Sequence, residues 1–191
     1  MSNDDLQSKV LQAAIDEFAD YGLSGARVDR IAQRAGANKQ LIYYYFGDKD
    51  GLFDAAVRKM TDRFGEVRAQ IPTAPAERPA AYFKSFAQDQ TFLRILQWEA
   101  LAIGEGEAVE EGSRAAYARS GVAGLKAEQK AGTIPGDLDA AQLFLSFQAL
   151  AVHPFAFPQM TRFITGRNAS NPIFQRDRIK FLRVIGEKLF A

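Results

Sequence analysis

The chain has 191 residues, of which 47% are apolar and 25% charged, a composition typical of globular proteins. It has no cysteine, which excludes disulfides, thiolate zinc sites and cysteine nucleophiles, and its single histidine argues against a histidine-based metal site. The N-terminus is polar and acidic, and no apolar run approaches the roughly 20 residues of a membrane span. We therefore expect neither a secretory signal nor a spanning segment, and we expect a cytoplasmic protein.

The net charge of +1 does not by itself indicate nucleic acid, but the distribution of charge is uneven. Five basic residues stand against two acids between Arg27 and Lys49, and the segment before them is acidic. Charge of one sign on a short segment favours contact with a polyanion. On charge alone, a merely solvated helix face remains an equal alternative.

The pattern of apolar residues predicts an all-α protein with four helices in its N-terminal third. A first helix at 5–19 carries an apolar stripe with a period of four and ends at Gly22. A second helix is expected at 28–35 and a third at 39–46, with Asn38 as its N-cap. A fourth helix is expected from residue 48 to about 70, capped by Asp48.

Further helices are predicted beyond a proline-containing joint. The joint at 65–79 separates an N-terminal domain at 5–64 from a C-terminal domain at 80–191. We predict that the second domain contains helices at 80–103, 110–131, 139–152, 158–166 and 172 to the C-terminus. His153-Pro154 is expected to end the helix at 139–152.

Two short helices joined by a turn with glycine are typical of a helix-turn-helix, whose second helix enters the DNA major groove. Ile42 and Phe46 are expected to face inward, which leaves Tyr43 and Tyr44 outside because adjacent helical positions point about 100° apart. Grouped aromatic rings on a surface mark an interaction site, and tyrosine can contact both phosphates and thymine methyls. Tyr45 is as consistent with the core as with the surface.

These residues resemble the DNA-binding domain of the TetR family of bacterial regulators. Residues 28–52 read VDRIAQRAGANKQLIYYYFGDKDGL, with an Ile-Ala pair on the second helix, then Ala-Gly, a polar cap and lysine, an aromatic run, and a lysine opening the fourth helix. The resemblance covers about residues 5 to 64. The remaining two-thirds of the chain is similar only in its all-helical layout.

The resemblance implies roles for individual residues at a DNA interface. Asn38, Lys39 and Gln40 open the recognition helix, where free amides and a cation favour phosphate and glutamine can pair with adenine. The full set of expected DNA-contacting residues is Arg27, Asn38, Lys39, Gln40, Leu41, Tyr43, Tyr44 and Lys49. Arg27, Gln40 and Asp48 depart from the family pattern, which often has a small hydroxyl residue, a glycine and a serine or threonine there.

The C-terminal domain is expected to form a homodimer and to bind a ligand. The resemblance implies that the helices at 139–152 and 172–190 pack against their symmetry mates, with apolar stripes formed by Leu143, Phe147, Leu150, Phe174, Phe181, Leu182, Ile185 and Leu189. Alternatively, these stripes serve only the core of one chain. A cavity for a small apolar or aromatic effector is predicted from Phe83, Phe86, Trp98, Tyr117, Phe144 and Phe147, although each of these is also an ordinary core residue type.

The sequence thus predicts a DNA-binding transcriptional regulator, a ligand-responsive repressor that binds a palindromic operator as a dimer. No catalytic residues, metal site or cofactor are expected, since GxSxG, HExxH and glycine-rich phosphate loops are absent. Two alternatives remain: a helical interaction protein, and an activator-type regulator without a small-molecule ligand. Salt-dependent, sequence-specific DNA binding separates the first alternative from the prediction.

Overall fold

A computed structural model describes residues 3–72 and 74–190, and within these ranges all regular structure is helical. The predicted all-α class is therefore confirmed. The helices are α1 Asn3–Gly25, α2 Val28–Ala35, α3 Lys39–Phe46, α4 Lys49–Ala69, a 3-10 helix Pro75–Glu77, α5 Arg78–Gln88, α6 Thr91–Ile103, α7 Glu111–Lys130, α8 Ala140–Ala156, α9 Pro158–Thr165 and α10 Pro172–Phe190.

The helices group into two units, and the boundary differs from the predicted one. Unit 1 contains residues 3–64 and 91–113, and unit 2 contains the rest. The sequence predicted one helix at 80–103 in the second domain, but that helix is broken at Asp89, whose backbone is extended (φ −146°, ψ 118°). The second half, α6, belongs to unit 1 because Ile95 is fully buried in its core. Within the predicted joint at 65–79, α4 continues to Ala69, and residue 73 lies outside the described residues.

Unit 1 has one apolar core, to which α1, α2, α3, α4 and α6 contribute. The Phe18 and Phe53 rings meet edge to face with centroids 5.0 Å apart. Ile31, Ile42 and Leu52 are fully buried, as the apolar period of their helices predicts. This core holds the two short helices α2 and α3 against α1, so their outer faces are available to solvent.

The predicted end of α1 at Gly22 is confirmed in its geometry. Gly22 has a positive φ of 66° and a ψ of 175°, outside the helical region, and one further turn follows to Gly25. Glycine adopts this conformation without the steric penalty that a Cβ imposes.

Unit 2 has a core formed by α5, α7, α8 and α10. The predicted end of α8 at His153-Pro154 is wrong, because the helix continues through Pro154 to Ala156. Proline removes the amide that would bond the carbonyl of Leu150. Arg178 Nη2 donates to that carbonyl at 2.8 Å instead. This hydrogen bond satisfies the Leu150 carbonyl, so α8 can continue beyond Pro154. Burial lowers the pKa of the Arg178 guanidinium below its usual value.

In the described part of the chain, no single helix is long and apolar enough to cross a membrane. The pair α8 and α9 reaches that length and composition together, but the two helices are bent by 89°.

Candidate nucleic-acid interface

The turn between α2 and α3 has the geometry that its residues predict. Gly36 is left-handed (φ 65°, ψ 31°), and the Ala37 amide donates to the Ala32 carbonyl at 3.0 Å, closing the end of α2. Asn38 is the N-cap of α3, and its side-chain oxygen accepts from the Leu41 amide at 2.7 Å. The two short helices and this turn form a helix-turn-helix.

A buried carboxylate fixes the start of α2. Glu17 on α1 is fully buried, and its Oε1 accepts from the Arg27 amide at 3.0 Å and from Arg30 Nε at 2.7 Å. The Arg30 guanidinium also lies 4.3 Å from the centre of the Tyr21 ring. Burial by itself would raise the pKa of Glu17, but the hydrogen bonds from Arg30 and Arg27 and the charges of Arg30 and Arg34 together lower it below its usual value.

The sequence pattern gives little indication of this clamp. Glu17 is adjacent to Phe18 of the apolar stripe and reads as an ordinary exposed acid, and its basic partner is 13 positions away. The one available signal was that α2 begins without a side-chain cap of its own, since Arg27 stands at the N-cap position. The Arg27 amide therefore needed an acceptor from elsewhere in the fold.

The junction between α3 and α4 depends on two glycines. Gly47 has φ 80° and ψ −75°, and the Asp48 amide donates to the Phe46 carbonyl at 3.0 Å in a tight three-residue turn. A Cβ on Gly51 would overlap that same carbonyl oxygen, so only glycine fits there. Asp48 caps α4 as predicted, accepting from the Gly51 amide at 2.8 Å.

The outer face of α3 is aromatic and polar. Tyr44 is 81% exposed and Tyr43 is 39% exposed. Gln40 is also exposed, and Leu41 is half-buried. Tyr45 is half-buried, its hydroxyl is buried without a hydrogen-bond partner in the described structure, and its ring meets that of Tyr44 edge to face at 5.4 Å. Tyr45 therefore belongs to the interior side of this helix.

The basic residues of the segment are largely paired with acids. Lys39 Nζ lies 3.0 Å from Asp29 Oδ1, and the hydrogen bond that Lys39 donates to the Asp29 carboxylate raises the pKa of Lys39 above its usual value. Arg30 is bonded to Glu17, and Arg34 lies 4.0 Å from Asp16. The positive surface is thus smaller than the charge count of the sequence suggested.

The eight residues predicted to contact DNA lie in one stretch of unit 1. Six of them belong to α3 and its cap, from Asn38 to Tyr44, Arg27 is exposed at the start of α2, and Lys49 is half-buried as the first residue of α4. Arg27 and Lys49 are therefore at the entries of the two helices that flank the recognition helix. This arrangement can present cations, helix-terminal amides and aromatic rings to a polyanion.

The six predicted cavity residues do not come together. Trp98 lies on α6 in unit 1, while the other five belong to unit 2. Phe83 is in the core, with its ring centroid 5.1 Å from Phe155 and 6.3 Å from Phe174, and Phe86 is buried.

Two of the predicted residues, Phe144 and Phe147, line a cavity of about 230 Å³ in unit 2. Tyr117 is next to it, with its ring centroid 6.4 Å from that of Phe144 and its hydroxyl 3.5 Å from that of Tyr82, a lining residue. The prediction omitted Tyr82, Leu125, Gly121 and Gly124, and the ion pair of Arg78 with Glu128.

That ion pair lies at the cavity wall with two parallel contacts. Arg78 Nη1 donates to Glu128 Oε2 at 2.8 Å and Nη2 donates to Oε1 at 2.5 Å. Both side chains are partly buried. The cavity therefore combines apolar walls with a fixed, mutually neutralised pair of charges.

Several residues proposed for the dimer face are buried within a single chain. Leu143, Phe147, Phe174 and Leu182 are all buried, because α8 and α10 turn this side toward unit 2's own core. The apolar side chains that α8 and α10 expose are Leu145, Ile173, Phe181 and Val184. Of the expected stripe, Phe181 alone has a large exposed fraction.

Comparison with known proteins identifies both parts of the chain. Residues 10–56 match the family described as bacterial regulatory proteins, tetR family, and residues 78–179 match the tetracyclin repressor-like, C-terminal domain. The HTH-type transcriptional repressor SCO4008 of Streptomyces coelicolor is 32% identical over 177 residues, which is 91% of each chain.

Solved structures show the same fold. SCO4942 from Streptomyces coelicolor superposes with a TM-score of 0.81 at 22% identity and covers 97% of this chain and 98% of its own. The regulator FadR from Bacillus subtilis, in complex with stearoyl-CoA, superposes with a TM-score of 0.67 at 17% identity and covers 92% and 97%.

Proposed function

The chain belongs to the TetR family of bacterial transcriptional regulators, and we propose that it represses transcription as a homodimer on a palindromic operator and dissociates when a small molecule binds unit 2. It is a DNA-binding transcriptional regulator and not an enzyme. A protein that acts on chromosomal DNA in bacteria works in the cytoplasm, and we place it there.

The observation that supports DNA reading by α3 is the exposure of Tyr44 and Tyr43 beside a capped, polar helix start. Water solvates two adjacent exposed rings poorly, whereas sugars and thymine methyls can cover them. Gln40 extends from the same helix and can pair with adenine N6 and N7. These three side chains are our candidates for base and sugar contacts.

Phosphate contacts are assigned to Arg27, Lys39 and Lys49. Asn38 caps the start of α3, and Leu41 is assigned an apolar contact at the edge of the DNA interface. Lys39 must exchange Asp29 for a phosphate, and because its ammonium is on a flexible stem this exchange needs little rearrangement. Since exposed ion pairs contribute little free energy, Asp29 reduces the affinity for DNA without preventing binding.

Dimerisation is proposed for the exposed apolar faces of α8 and α10. One helix-turn-helix reads only a few base pairs, and a two-fold dimer places two recognition helices on successive major grooves. Leu145, Ile173, Phe181 and Val184 lie on the two helices and are exposed in one chain. A partner that covers them removes apolar surface from water.

The dimer is tested by molar mass measured by light scattering during size-exclusion chromatography. Phe181→Arg is expected to shift the protein from dimer to monomer, because it buries a charge at the interface. The matched control is Leu101→Arg, an exposed apolar residue of unit 1, which is expected to leave the mass unchanged. A wild-type monomer, or a dimer that Phe181→Arg leaves intact, would contradict this assignment.

The effector cavity is proposed for the space lined by Phe144 and Phe147. Its volume of about 230 Å³ lies below the roughly 300–1,000 Å³ usual for drug-sized ligands, so it suits a small apolar or aromatic molecule. Stearoyl-CoA, the ligand of the Bacillus subtilis FadR structure, is far larger. The hydroxyls of Tyr82 and Tyr117 can orient one polar group of such a ligand.

The switch is proposed to act through α4, which begins in unit 1 and ends in unit 2. A ligand that favours one arrangement of the unit 2 helices would shift this helix and with it the recognition helices. Such a ligand changes DNA affinity only by the ratio of its affinities for the two states.

The DNA-binding proposal is tested by fluorescence anisotropy with fragments from upstream of the protein's own gene, over a range of salt concentrations. We expect tight, fragment-selective binding that weakens with salt. Lys39→Ala is expected to weaken binding and to reduce the salt slope by about one, since it removes one phosphate contact. Tyr43→Phe is expected to weaken it as well.

Lys59→Ala on the exposed side of α4 is the matched control, because it removes the same charge away from α3. If Lys59→Ala weakened binding as much as Lys39→Ala, net charge and not the α3 face would account for affinity. Equally poor binding to every fragment, including those enriched from random sequence, would contradict operator recognition.

A further inference from the structure

Helix α9 is held firmly against α8 by small contacts. Thr161 is its one buried residue, and the Thr161 hydroxyl donates to the Pro154 carbonyl at 3.2 Å. Gly166 closes the helix in the left-handed conformation (φ 71°, ψ 4°), and its amide donates to the Arg162 carbonyl at 2.8 Å. These contacts fix which side of α9 faces α8 and which side faces solvent.

The solvent side of α9 is apolar. Its large side chains follow one another at spacings of three and four, which places them on one side of the helix. They are Phe157 at the N-cap, Met160, Phe163 and Ile164, and each is between 48% and 72% exposed. The apolar side of an amphipathic helix ordinarily faces the core of its own chain. Here it is directed away from that core.

This apolar side is continuous with the exposed side of α8. The Phe157 ring centroid lies 5.3 Å from that of His153, which is exposed on α8, and Leu145 and Ala149 are exposed on the preceding turns. The sequence from 140 to 161 contains no aspartate, glutamate, lysine or arginine. Solvent-facing sides of helices usually carry charge, whereas the cores of protein interfaces are depleted of it.

The apolar area indicates what covers this surface. At roughly 200 Å² for a fully exposed large side chain, the four residues proposed for the dimer face of α8 and α10 expose about 400 Å². A homodimer interface that buries about 2,000 Å² needs roughly 650 Å² of apolar surface from each partner. The four side chains of the α9 side add about 500 Å². The large apolar side chains therefore reach the area of a stable homodimer only when α9 is included.

We propose that the apolar side of α9 packs against a second copy of this chain and extends the interface proposed for α8 and α10. The inference rests on the homodimer of the proposed function. A lipid surface fits α9 less well, because helices that lie on anionic membranes carry many lysines and arginines on their polar side. Within α9, Arg162 is the only residue of that kind.

The chain has no cysteine, so Ile164→Cys introduces a unique thiol on the apolar side of α9. We compare its rate of reaction with a maleimide in the dimer and in the Phe181→Arg background, which is expected to be monomeric. At protein concentrations far above the dimer Kd, we expect the reaction in the dimer to be at least about tenfold slower, because the thiol reacts only in the dissociated fraction. Equal rates in the two backgrounds would overturn the proposal.

The matched control is Leu101→Cys, at an equally exposed apolar position of unit 1. Its thiol is expected to react at the same rate in both backgrounds. Slowing of the same size at both positions would show a general effect of the background on the reaction and would contradict the assignment of α9 to the interface.

Phe163→Ser measures the contribution of α9 to association, with the dimer Kd obtained by sedimentation equilibrium. We expect the Kd to rise at least about tenfold, since a two-fold interface loses the ring from both partners. Phe163 is exposed in one chain, so the fold of the protomer should be unchanged, as thermal unfolding of the Phe181→Arg background with and without Phe163→Ser would check. Leu101→Ser is expected to leave the Kd unchanged.

The outcomes separate this proposal from the one on which it rests. A wild-type chain that is monomeric at every concentration would contradict the homodimer itself. A dimer that Phe181→Arg dissociates and Phe163→Ser leaves intact would contradict only the role of α9. Co-sedimentation with anionic phospholipid vesicles that Phe163→Ser abolishes would assign α9 to a lipid surface and overturn the proposal.

Discussion

The recognition helix α3 of unit 1 and helix α9 of unit 2 differ in the kind of apolar surface that they leave exposed. In unit 1 the exposed rings include Tyr43 and Tyr44 on α3, each with a hydroxyl that can bond to a ligand. In unit 2 the exposed side chains lack polar ends, as in Phe163 at 69% and Ile164 at 72% on α9. The face of α3 is thus suited to a partner that offers both polar groups and apolar surface for the rings, and the face of α9 to a partner that excludes water.

The units also differ in how they set their geometry. In unit 1 tight backbone turns set the two ends of the recognition helix, and the buried Glu17 carboxylate sets the start of α2, so a small displacement would break specific hydrogen bonds. In unit 2 the contact between α7 and α8 involves a ring that can rotate, since Gly121 of α7 lies against the side chain of Phe144 of α8. Gly186 is an exception, since a Cβ there would lie near the Ala76 backbone.

The strongest test is Gly51→Ala in unit 1. The new Cβ would overlap the Phe46 carbonyl oxygen, and a backbone atom cannot rotate away as a side chain can. We expect a loss of about 3 kcal/mol in the free energy of unfolding, measured by denaturant titration. Gly65→Ala in the same helix has no atom within 4 Å of its Cβ and serves as the control. Equal stability of the two variants would show that the turn before α4 can adapt to a side chain at position 51, contrary to the rigidity inferred for unit 1.

Glu17→Gln tests the buried clamp on α2. Replacing the carboxylate weakens charge-assisted hydrogen bonds from Arg30 and from the Arg27 amide, and we expect a loss of about 2 kcal/mol. Because folding lowers the pKa of Glu17, its contribution is present above the unfolded value near 4.5 and is lost as the pH falls through the lower folded pKa.

The variant is therefore expected to lose part of the acid dependence of unfolding below pH 4.5, measured by thermal melts across a pH series. Glu66→Gln, an exposed residue of α4, is the control and should leave that dependence intact. An unchanged acid limb in Glu17→Gln would argue that the clamp does not stabilise the fold.

Gly121→Ala tests whether the helix contact in unit 2 can adapt. Its Cβ would lie 2.5 Å from Phe144 Cε2, the far part of a ring that can shift into the adjacent cavity. We expect the free energy of unfolding, measured by thermal denaturation, to fall by about 1 kcal/mol. Gly124→Ala in the same helix meets no atom within 4 Å and should gain about 0.5 kcal/mol from helix propensity. A loss as large as that of Gly51→Ala would show unit 2 to be equally rigid.

The smallest effect is expected for Asp29→Asn. Lys39 would no longer be held by Asp29 and could contact phosphate without exchange, so we expect about twofold tighter operator binding by anisotropy. The control is Asp62→Asn, which removes the same charge from α4. Asp62 lies about 20 Å along that helix from its first residue. Tightening of the same size in both variants would attribute the gain to net charge.

The local features of the interface could be predicted from sequence because neighbouring residues determine them. Asn38 and Asp48 cap α3 and α4, Gly36 ends α2 in the left-handed conformation, and Gly22 has a positive φ at the break in α1. The inward position of Ile42 follows from the period of the helix. The roles of the eight predicted DNA-contacting residues remain proposals, although all of them lie in the helix-turn-helix or next to it.

Features that depend on distant contacts could not be predicted. Trp98 follows Phe86 by 12 positions in the chain and has the same apolar character, but the break at Asp89 places it in the other unit. The continuation of α8 through Pro154 depends on Arg178, 28 residues after Leu150. The pairing of Lys39 with Asp29 joins two helices and reduces the charge that the sequence displays.

Local sequence is enough to set the helical class, the helix-turn-helix and the exposed aromatic face of α3, because caps, glycines with positive φ and apolar periods act over a few residues. Which helices share a core, which cations are neutralised and where cavities form became known only from the folded chain. Those outcomes depend on contacts between residues far apart in the chain, and a local pattern does not contain them.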